Sequence, residues 1–356
     1  MKVVRIILMI INAVAALGLI LTTLAGSVAP SNMILPSLMA YAFVSMLALN
    51  VVFTLMWLLM KRWAFLISAA AIAVRWPIVC MYLQVGGDTQ VPDRAVHEQM
   101  LSLMTYNVHQ FRGPGLDYNP SDSIAREFLN LVRREQPDVL CMQEYAAVKK
   151  VNITDSLSVQ GYNHYYGSHA ARSGVPYGTV VFSRMPITYV NAIDGEKLLV
   201  ELMHPSGKRL RVLCLHMDSY RFDDADREEI ERMRHGDVDS TSGRTIAKVR
   251  ETIVRHQDEW EQHVAPVVAE SSLPLVVAGD LNDIPSSWLY SRLTDNLHDT
   301  FRERGRGVSI TYNGGFPRYR IDAVFRSDGL RTLSYKRLRS DISDHYPVLV
   351  ALEFEP

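Results

Sequence analysis

The first 87 residues contain no Asp or Glu and only five basic residues, Lys2, Arg5, Lys61, Arg62 and Arg75, while the remainder of the 356-residue chain is dense in both signs of charge. Three apolar runs fill this opening quarter, residues 6–29, 33–60 and 63 to about 85, separated by Pro30-Ser31-Asn32 and Lys61-Arg62. At about 1.5 Å per helical residue each run is long enough to cross a roughly 30 Å hydrocarbon core, so residues 1–86 read as an anchor of three transmembrane helices. Of Trp57, Trp63, Trp76, Tyr41 and Tyr82, several lie towards run ends or interfacial depths, where amphipathic rings are favoured. The competing reading is a cleaved signal peptide followed by buried soluble helices, but an apolar run of this length recurs twice more. Arg75 conflicts with a simple third span. At mid-depth it would cost about 2.5–3.5 kcal/mol, so it must face another helix, snorkel, or shorten the span.

Basic residues cluster before the first run and between the second and third, which by the positive-inside rule puts both clusters in the cytoplasm. Three spans then deliver everything after residue 85 to the outside. For a double-membrane bacterium the expectation is a multi-pass protein of the inner membrane with a periplasmic second unit. Cys80, Cys141 and Cys214 are the only cysteines, and the last two sit in strand-like apolar runs, which reads as buried thiols rather than a disulfide framework.

Residues 87–100 are polar and turn-rich and read as a linker. From residue 101 the pattern becomes one of short strands and a few helices. Strand candidates are 101–108, 138–144, 178–184, 197–203, 209–217, 273–282, 320–327, 330–338 and 345–354, several too apolar to have a wet face. Ser121 precedes Ile124, Phe128, Leu131 and Val132 at helical spacing, and a long charged helix is expected over about 243–270. With 32 basic against 38 acidic residues outside the anchor, this unit is net acidic, which opposes a dominant electrostatic attraction to nucleic acid.

Hydrogen-bonding and metal-binding residues stand at the ends of these strands: Asn107, Glu144, His216, Asp280, Asn282, Asp322, Asp344 and His345. Any one alone has an ordinary reading as a turn or cap residue. Together, in order, they carry more. The runs TYNVH, DVLCMQE, YGTVVFSRMPI, LCLHMDS, VVAGDLND, RIDAVF and SDHYPV resemble, in their sequence order, the endonuclease/exonuclease/phosphatase superfamily, whose fold is that of pancreatic deoxyribonuclease. The resemblance covers nearly all of 101–355 and implies a four-layer, two-sheet α/β (α+β) sandwich behind the three transmembrane helices.

It also implies roles. Glu144 is a metal ligand, Asn107 helps hold the metal or the scissile phosphate, and Asp344 is a carboxylate near the metal. Asp280 activates water or serves the leaving group as acid/base with Asn282 orienting phosphate, Asp322 and His345 form a pair, and His216 is the other active-site histidine. The chemistry requires these types independently: a phosphoester anion resists water until a hard cation held by carboxylate oxygens neutralises the developing charge. Mg²⁺ or Mn²⁺ suits such a set, whereas zinc prefers clustered His and Cys.

One departure is His109, where many family nucleases carry an acid two positions after the Asn, which argues against a second carboxylate ligand. His109 reads equally as a phosphate contact or a loop residue; Tyr177 resembles a phosphate-contacting tyrosine of the family, against the more ordinary reading of a core or rim tyrosine. The charged run 220–243 after His216 reads as a solvated helix and loop or as a flap on the substrate side, and Arg112, Arg172 and Arg244 are loop candidates for phosphate contact.

The resulting expectation is a membrane-tethered, Mg²⁺-dependent phosphodiesterase, phosphatase or nuclease acting outside the cytoplasm on a lipid, inositol phosphate, nucleotide or nucleic acid. Tethering and acidity favour a lipid or small phosphoester over duplex DNA. The rival is a membrane-anchored binding or scaffold protein that retains the fold without catalysis.

Overall fold

The structure is a computed structural model that describes residues 2–114, 120–172, 175–234, 242–315 and 318–355. The chain forms two compact units. One comprises Met1–Met81, Asp218–Trp260 and Ile284–Arg292, and the other Tyr82–Met217, Glu261–Asp283 and Leu293–Pro356.

In the larger unit the strands run, in chain order, β1 (Leu83–Gln84), β2 (Met100–Asn107), β3 (Val139–Ala146), β4 (His164–Arg172), β5 (Val175–Ser183), β6 (Ile187–Ala192) and β7 (Lys197–Met203). They continue as β8 (Arg209–His216), β9 (Leu275–Asp280), β10 (His298–Asp299), β11 (Gly307–Val308), β12 (Asp322–Arg326), β13 (Leu330–Arg337) and β14 (Val348–Phe354). Two six-stranded sheets result, ordered β13-β14-β2-β3-β5-β4 and β10-β12-β9-β8-β7-β6, with β1 and β11 as a small pair. Both are mostly antiparallel, but β2 runs parallel to β3 and β8 parallel to β9.

One core joins the inner faces of the sheets: Leu103, Val139, Cys141 and Val350 from the first meet Val200, Val212, Cys214, Val276 and Val324 from the second. A second core packs the outer face of the first sheet, through Met104, Leu140 and Phe182, against the helices Asp122–Glu135 and Ile153–Val159, which contribute Phe128, Val132 and Leu157. Strands covered on both faces need apolar residues at successive positions, which is why β2, β9 and β14 are buried end to end. Cys141 and Cys214 are buried free thiols, and Gln143 Nε2 donates to Cys214 Sγ at 3.3 Å. The sequence pattern misses β4 and β6, whose residues lack apolar alternation because each is the edge strand of its sheet, with Tyr165, Tyr166 and Tyr189 exposed.

The expected charged helix over 243–270 is broken. Ser242–Glu259 is helical, Trp260–Val264 is a π-turn, and Ala265–Glu270 resumes the helix. Pro266 lacks the N–H that would bond the preceding turn and its ring crowds the carbonyl four residues back, so the wider turn accommodates it.

The smaller unit inverts the usual burial. Val3, Ile6, Ile10, Val14, Leu55 and Leu58 are exposed while Asn12, Asn50 and Ser68 are buried. Asn12 Nδ2 donates to the Ala64 carbonyl at 3.1 Å, Ser68 Oγ to Asn12 Oδ1 at 2.5 Å, and Asn50 Nδ2 to the Ala15 carbonyl at 3.0 Å. Polar side chains in this unit bond across helices while apolar ones face outward.

Of the three expected spans, one continuous helix is long and apolar enough to cross a membrane, Lys2–Ser27. The other two runs are each a bent pair, Ile34–Tyr41 with Phe43–Leu59 at 59°, and Phe65–Val74 with Trp76–Tyr82 at 68°. The second break falls at Arg75, where Pro77 removes the N–H that would reach the Ala73 carbonyl. At the first, the Ala40 carbonyl accepts from Ser286 Oγ at 3.1 Å beside the bend at Ala42.

The charged run after His216 keeps a solvated face, with Arg221, Asp223, Arg227, Glu228, Glu231 and Arg232 exposed. It belongs to the smaller unit, where Gln257 Oε1 accepts from the Ser31 N–H at 2.9 Å and Tyr220 bonds Tyr41 through their hydroxyls. Arg292 Nη2 donates to the Gly26 carbonyl at 3.2 Å. The inserted segment thus covers the turn between the first two apolar runs. Residues 235–241 of the run lie outside the described residues.

Candidate active site

Sheet register brings the predicted residues to one end of the larger unit. Parallel pairing sets Asn107 opposite Gln143 and His216 opposite Asp280, and antiparallel pairing sets Asp322 opposite Asp280. Tyr312 bridges to His345, so the loop before β12 holds the segment before β14.

Asp280 is the centre. Fully buried, it has Oδ2 at 3.1 Å from Asn107 Nδ2, 3.7 Å from His345 Nε2 and 3.8 Å from His216 Nε2. Its Oδ1 accepts the Asn282 N–H at 2.8 Å. Asn107 Nδ2 also lies 3.2 Å from Glu144 Oε1, and His216 Nε2 lies 3.9 Å from the same oxygen. Asp322 Oδ2 holds His345 Nδ1 at 2.9 Å, which fixes Nε2 as the atom aimed at Asp280. Asp280, Asp322 and His345 each offer a ligand atom within 4.8 Å of one another.

Asp344 Oδ1 lies 3.5 Å from His109 Nδ1 and accepts Ser343 Oγ at 3.2 Å, and its carbonyl accepts the Asn313 N–H at 2.7 Å. His109 itself donates its N–H to Asn107 Oδ1 at 3.0 Å. Asn282 spends one amide hydrogen on the Met217 carbonyl at 2.9 Å and so ties the end of β8 to β9.

Local backbone explains how the side chains are aimed. Glu144 has φ of 50° and Asn282 of 48°, left-handed conformations that cost non-glycine residues about 1–3 kcal/mol. Glu144 sits where the β3–β5 register slips between Met142 and Tyr145, a bulge that turns its carboxylate out of the strand. Gly279, with φ of +155°, lies so close to β8 that a Cβ would stand 1.8 Å from the Leu215 carbonyl oxygen.

Electrostatics divide the titrating groups. Burial pushes the Asp280 carboxyl up to about 6, with the Asp322 charge adding to the rise and His345 and His216 opposing it. Burial works against protonation of His216, but the hydrogen bond and charge of Glu196, with Asp280 and Glu144, raise it to about 9. His345 is likewise disfavoured by burial yet held well above the ordinary histidine range by Asp322 and Asp280. Burial would raise Glu144, but the His216 and His109 charges and the Asn107 amide hold it below the usual range.

Three participants carried no sequence signal strong enough to single out. Glu196, just before β7, accepts His216 Nδ1 at 2.9 Å because antiparallel pairing sets it opposite that residue. Thr311 Oγ1 accepts the Asp322 N–H at 3.0 Å, and Gln110 Nε2 reaches Glu144 Oε2 at 3.4 Å. Each depends on a loop whose closure no local pattern encodes. Of the other candidates, Tyr177 is buried, Arg244 pairs with Asp223 and Asp226, and the Arg172 side chain lies outside the described residues. Arg112 Nε has no hydrogen-bond partner among the described residues.

Two mixed sheets packed face to face, with a carboxylate-histidine constellation at their strand ends, define a deoxyribonuclease-like α/β sandwich. The Endonuclease/Exonuclease/phosphatase family model matches residues 104–345, and the chain belongs to that family. A second match, a domain of unknown function, covers residues 5–82. No curated protein matches the chain. Similar solved structures include the catalytic domain of human nocturnin with a bound sulfate anion, at 16% identity over 75% of this chain and 100% of that one, with a TM-score of 0.50. An endonuclease/exonuclease/phosphatase from Bacteroides vulgatus is 17% identical over 72% of this chain and 99% of its own, also at 0.50. At these identities the likeness establishes the fold.

Proposed function

We propose that the chain is a membrane-tethered, divalent-metal-dependent phosphoester hydrolase. One observation carries the reading: a buried carboxylate, Asp280, has three donors converging on a single oxygen at 3.1, 3.7 and 3.8 Å. A scaffold has no use for a buried acid placed between two charged imidazoles.

The donor set fits a hard cation. Even with His216 and His345 protonated, Glu144, Glu196, Asp280, Asp322 and Asp344 outnumber them, and the His216 Nε2 and Asp322 Oδ1 atoms are buried without a hydrogen-bond partner among the described residues. Glu144, with Asn107 and Asp344, would hold Mg²⁺ or Mn²⁺, which supplies positive charge to the phosphoryl oxygens. Asp280, with a pKa of about 6, is deprotonated at neutral pH yet basic enough to take a proton from the attacking water at Oδ2. His345 and His216, both held protonated, present Nε2–H donors to phosphate oxygens and stabilise the charge of the pentacoordinate transition state. Asp322 and Glu196 position these rings, and Asn282 fixes the Asp280 carboxylate.

Three membrane crossings, two of them bent, would put Lys2, Arg5, Lys61 and Arg62 inside and the hydrolase outside, in the periplasm of a double-membrane bacterium. The Ser31–Gln257 and Gly26–Arg292 contacts support this, since the inserted segment meets the turn opposite Lys61 and Arg62. The tether, with the net acidity of the rest of the chain, favours a lipid or small phosphoester over duplex DNA. The test is a panel of bis-p-nitrophenyl phosphate, nucleotides, inositol phosphates, sphingomyelin and plasmid DNA, assayed on the full chain in detergent with and without Mg²⁺. Hydrolysis of none of them in Mg²⁺ by the folded protein rejects the proposal.

A further inference from the structure

Beside the site lies a cavity of about 600 Å³ whose lining includes Arg318, Arg337, Arg339, Asn313, Asp341 and Tyr346. Three guanidinium groups against one carboxylate leave it cationic within a net acidic unit. Its lining adjoins the segment that carries His345. Tyr346 follows His345 directly, the Asn313 N–H donates to the Asp344 carbonyl at 2.7 Å, and the Tyr346 N–H donates to the Thr311 carbonyl at 2.7 Å. The Tyr312 and His345 rings meet edge to face at 5.2 Å.

One guanidinium is fixed. Arg337 Nη1 donates to the Ile310 carbonyl at 3.0 Å and its Cζ lies over the Tyr346 ring, 4.9 Å from its centre. Arg318 and Arg339 are exposed at the same cavity. Clustered guanidinium groups recognise phosphate through paired N–H donors better than any other side chain. The scissile-phosphate groups already described, Asp280, His216 and His345, do not line this cavity, so its charge serves a different part of a bound molecule.

We infer that the Arg318–Arg337–Arg339 cavity takes a second phosphate group of the substrate and so sets specificity for phosphoesters carrying two phosphates. The inference rests on the phosphoester-hydrolase reading and narrows its substrate class. The second phosphate can belong to a lipid headgroup or to a soluble ester, because the recognising chemistry is the same.

Two measurements on the full chain test it. The first, in nanodiscs with Mg²⁺, compares kcat/KM for thymidine 5′-(p-nitrophenyl phosphate) with that for the same ester bearing a 3′-phosphate. In Arg318→Ala/Arg339→Ala the preference for the second ester over the first should fall at least about tenfold, while equal losses on both esters would overturn the assignment. The second measurement does not depend on turnover: calorimetric titration of pyrophosphate in EDTA. The double variant should bind pyrophosphate at least about tenfold more weakly than the wild type, and Arg318→Lys/Arg339→Lys should recover part of the loss. Affinity within twofold of wild type in the double variant overturns the cavity even if the enzyme hydrolyses every ester. Absence of hydrolysis with intact, arginine-dependent pyrophosphate binding rejects the hydrolase reading and keeps the anion site. Nanodiscs doped with phosphatidylinositol 4-phosphate distinguish the sources: competition with pyrophosphate assigns the site to a lipid headgroup, and its absence to a soluble phosphoester.

Discussion

Glu196 Oε2 lies 2.9 Å from His216 Nδ1, so a residue before one strand fixes the tautomer and charge of the histidine that ends the next. This carboxylate is the main reason that His216 titrates near 9 despite its burial. The raised value stabilises the folded state below the unfolded histidine value of about 6.5, and that stabilisation is lost as pH rises through 9. Glu196→Gln should therefore lower the His216 pKa, read by NMR titration of the metal-free protein, and weaken the loss of stability between about pH 6.5 and 9. An unmoved His216 titration would contradict the assignment.

The proposed metal dependence has a direct test. Activity should vanish in EDTA and return with Mg²⁺ or Mn²⁺, and Glu144→Gln should raise the metal concentration required. Asp280→Asn and His345→Ala, each removing one preorganised group, should reduce kcat by about 100- to 1,000-fold. Full activity in EDTA refutes the metal role, and normal turnover by folded Asp280→Asn refutes the proton acceptor.

The acid limb of the pH–rate profile should reflect Asp280, which burial and the Asp322 charge raise to about 6. Activity should rise as pH passes through that region and Asp280 loses its proton. A profile flat from pH 4.5 to 7.5 would show that no group of this kind limits turnover.

Gly279 gives a backbone test. A methyl group there meets the Leu215 carbonyl oxygen at 1.8 Å, and the φ of +155° is one that L side chains rarely adopt. Gly279→Ala should cost at least about 1–3 kcal/mol of stability and separate β8 from β9, with kcat falling because His216 and Asp280 part. Thermal unfolding and kinetics together check it: a Tm and kcat equal to wild type would mean that the strands do not approach so closely.

Orientation is open to direct measurement. Alkaline phosphatase fused after residue 95 should be active, and green fluorescent protein at the same point should be dark, if the segment Phe65–Tyr82 crosses despite its bend at Arg75. The reverse pair would place the hydrolase in the cytoplasm and make cytoplasmic nucleotides or lipids its substrates.

Residue type and order alone determined the polarity break near Asp88, the apolar strands β2, β3, β8, β9 and β14, and the positions of Asn107, His216 and Asp280 as the last residues of β2, β8 and β9. These were legible because burial on both faces demands continuous apolar runs and a site at strand ends demands polar residues at those ends. Tertiary structure alone decided what pairs with what. The Asp322–His345 and Glu196–His216 pairs, the turn of Asp344 towards His109, and the docking of Gln257 on Ser31 join residues 20 to 235 positions apart, or through loops without periodicity. The bends at Ala42 and Arg75 are likewise invisible to hydropathy, which measures how apolar a run is and not whether its backbone hydrogen bonds continue. Composition reports where a side chain can be buried, but only sheet register and loop closure determine which groups then share that space.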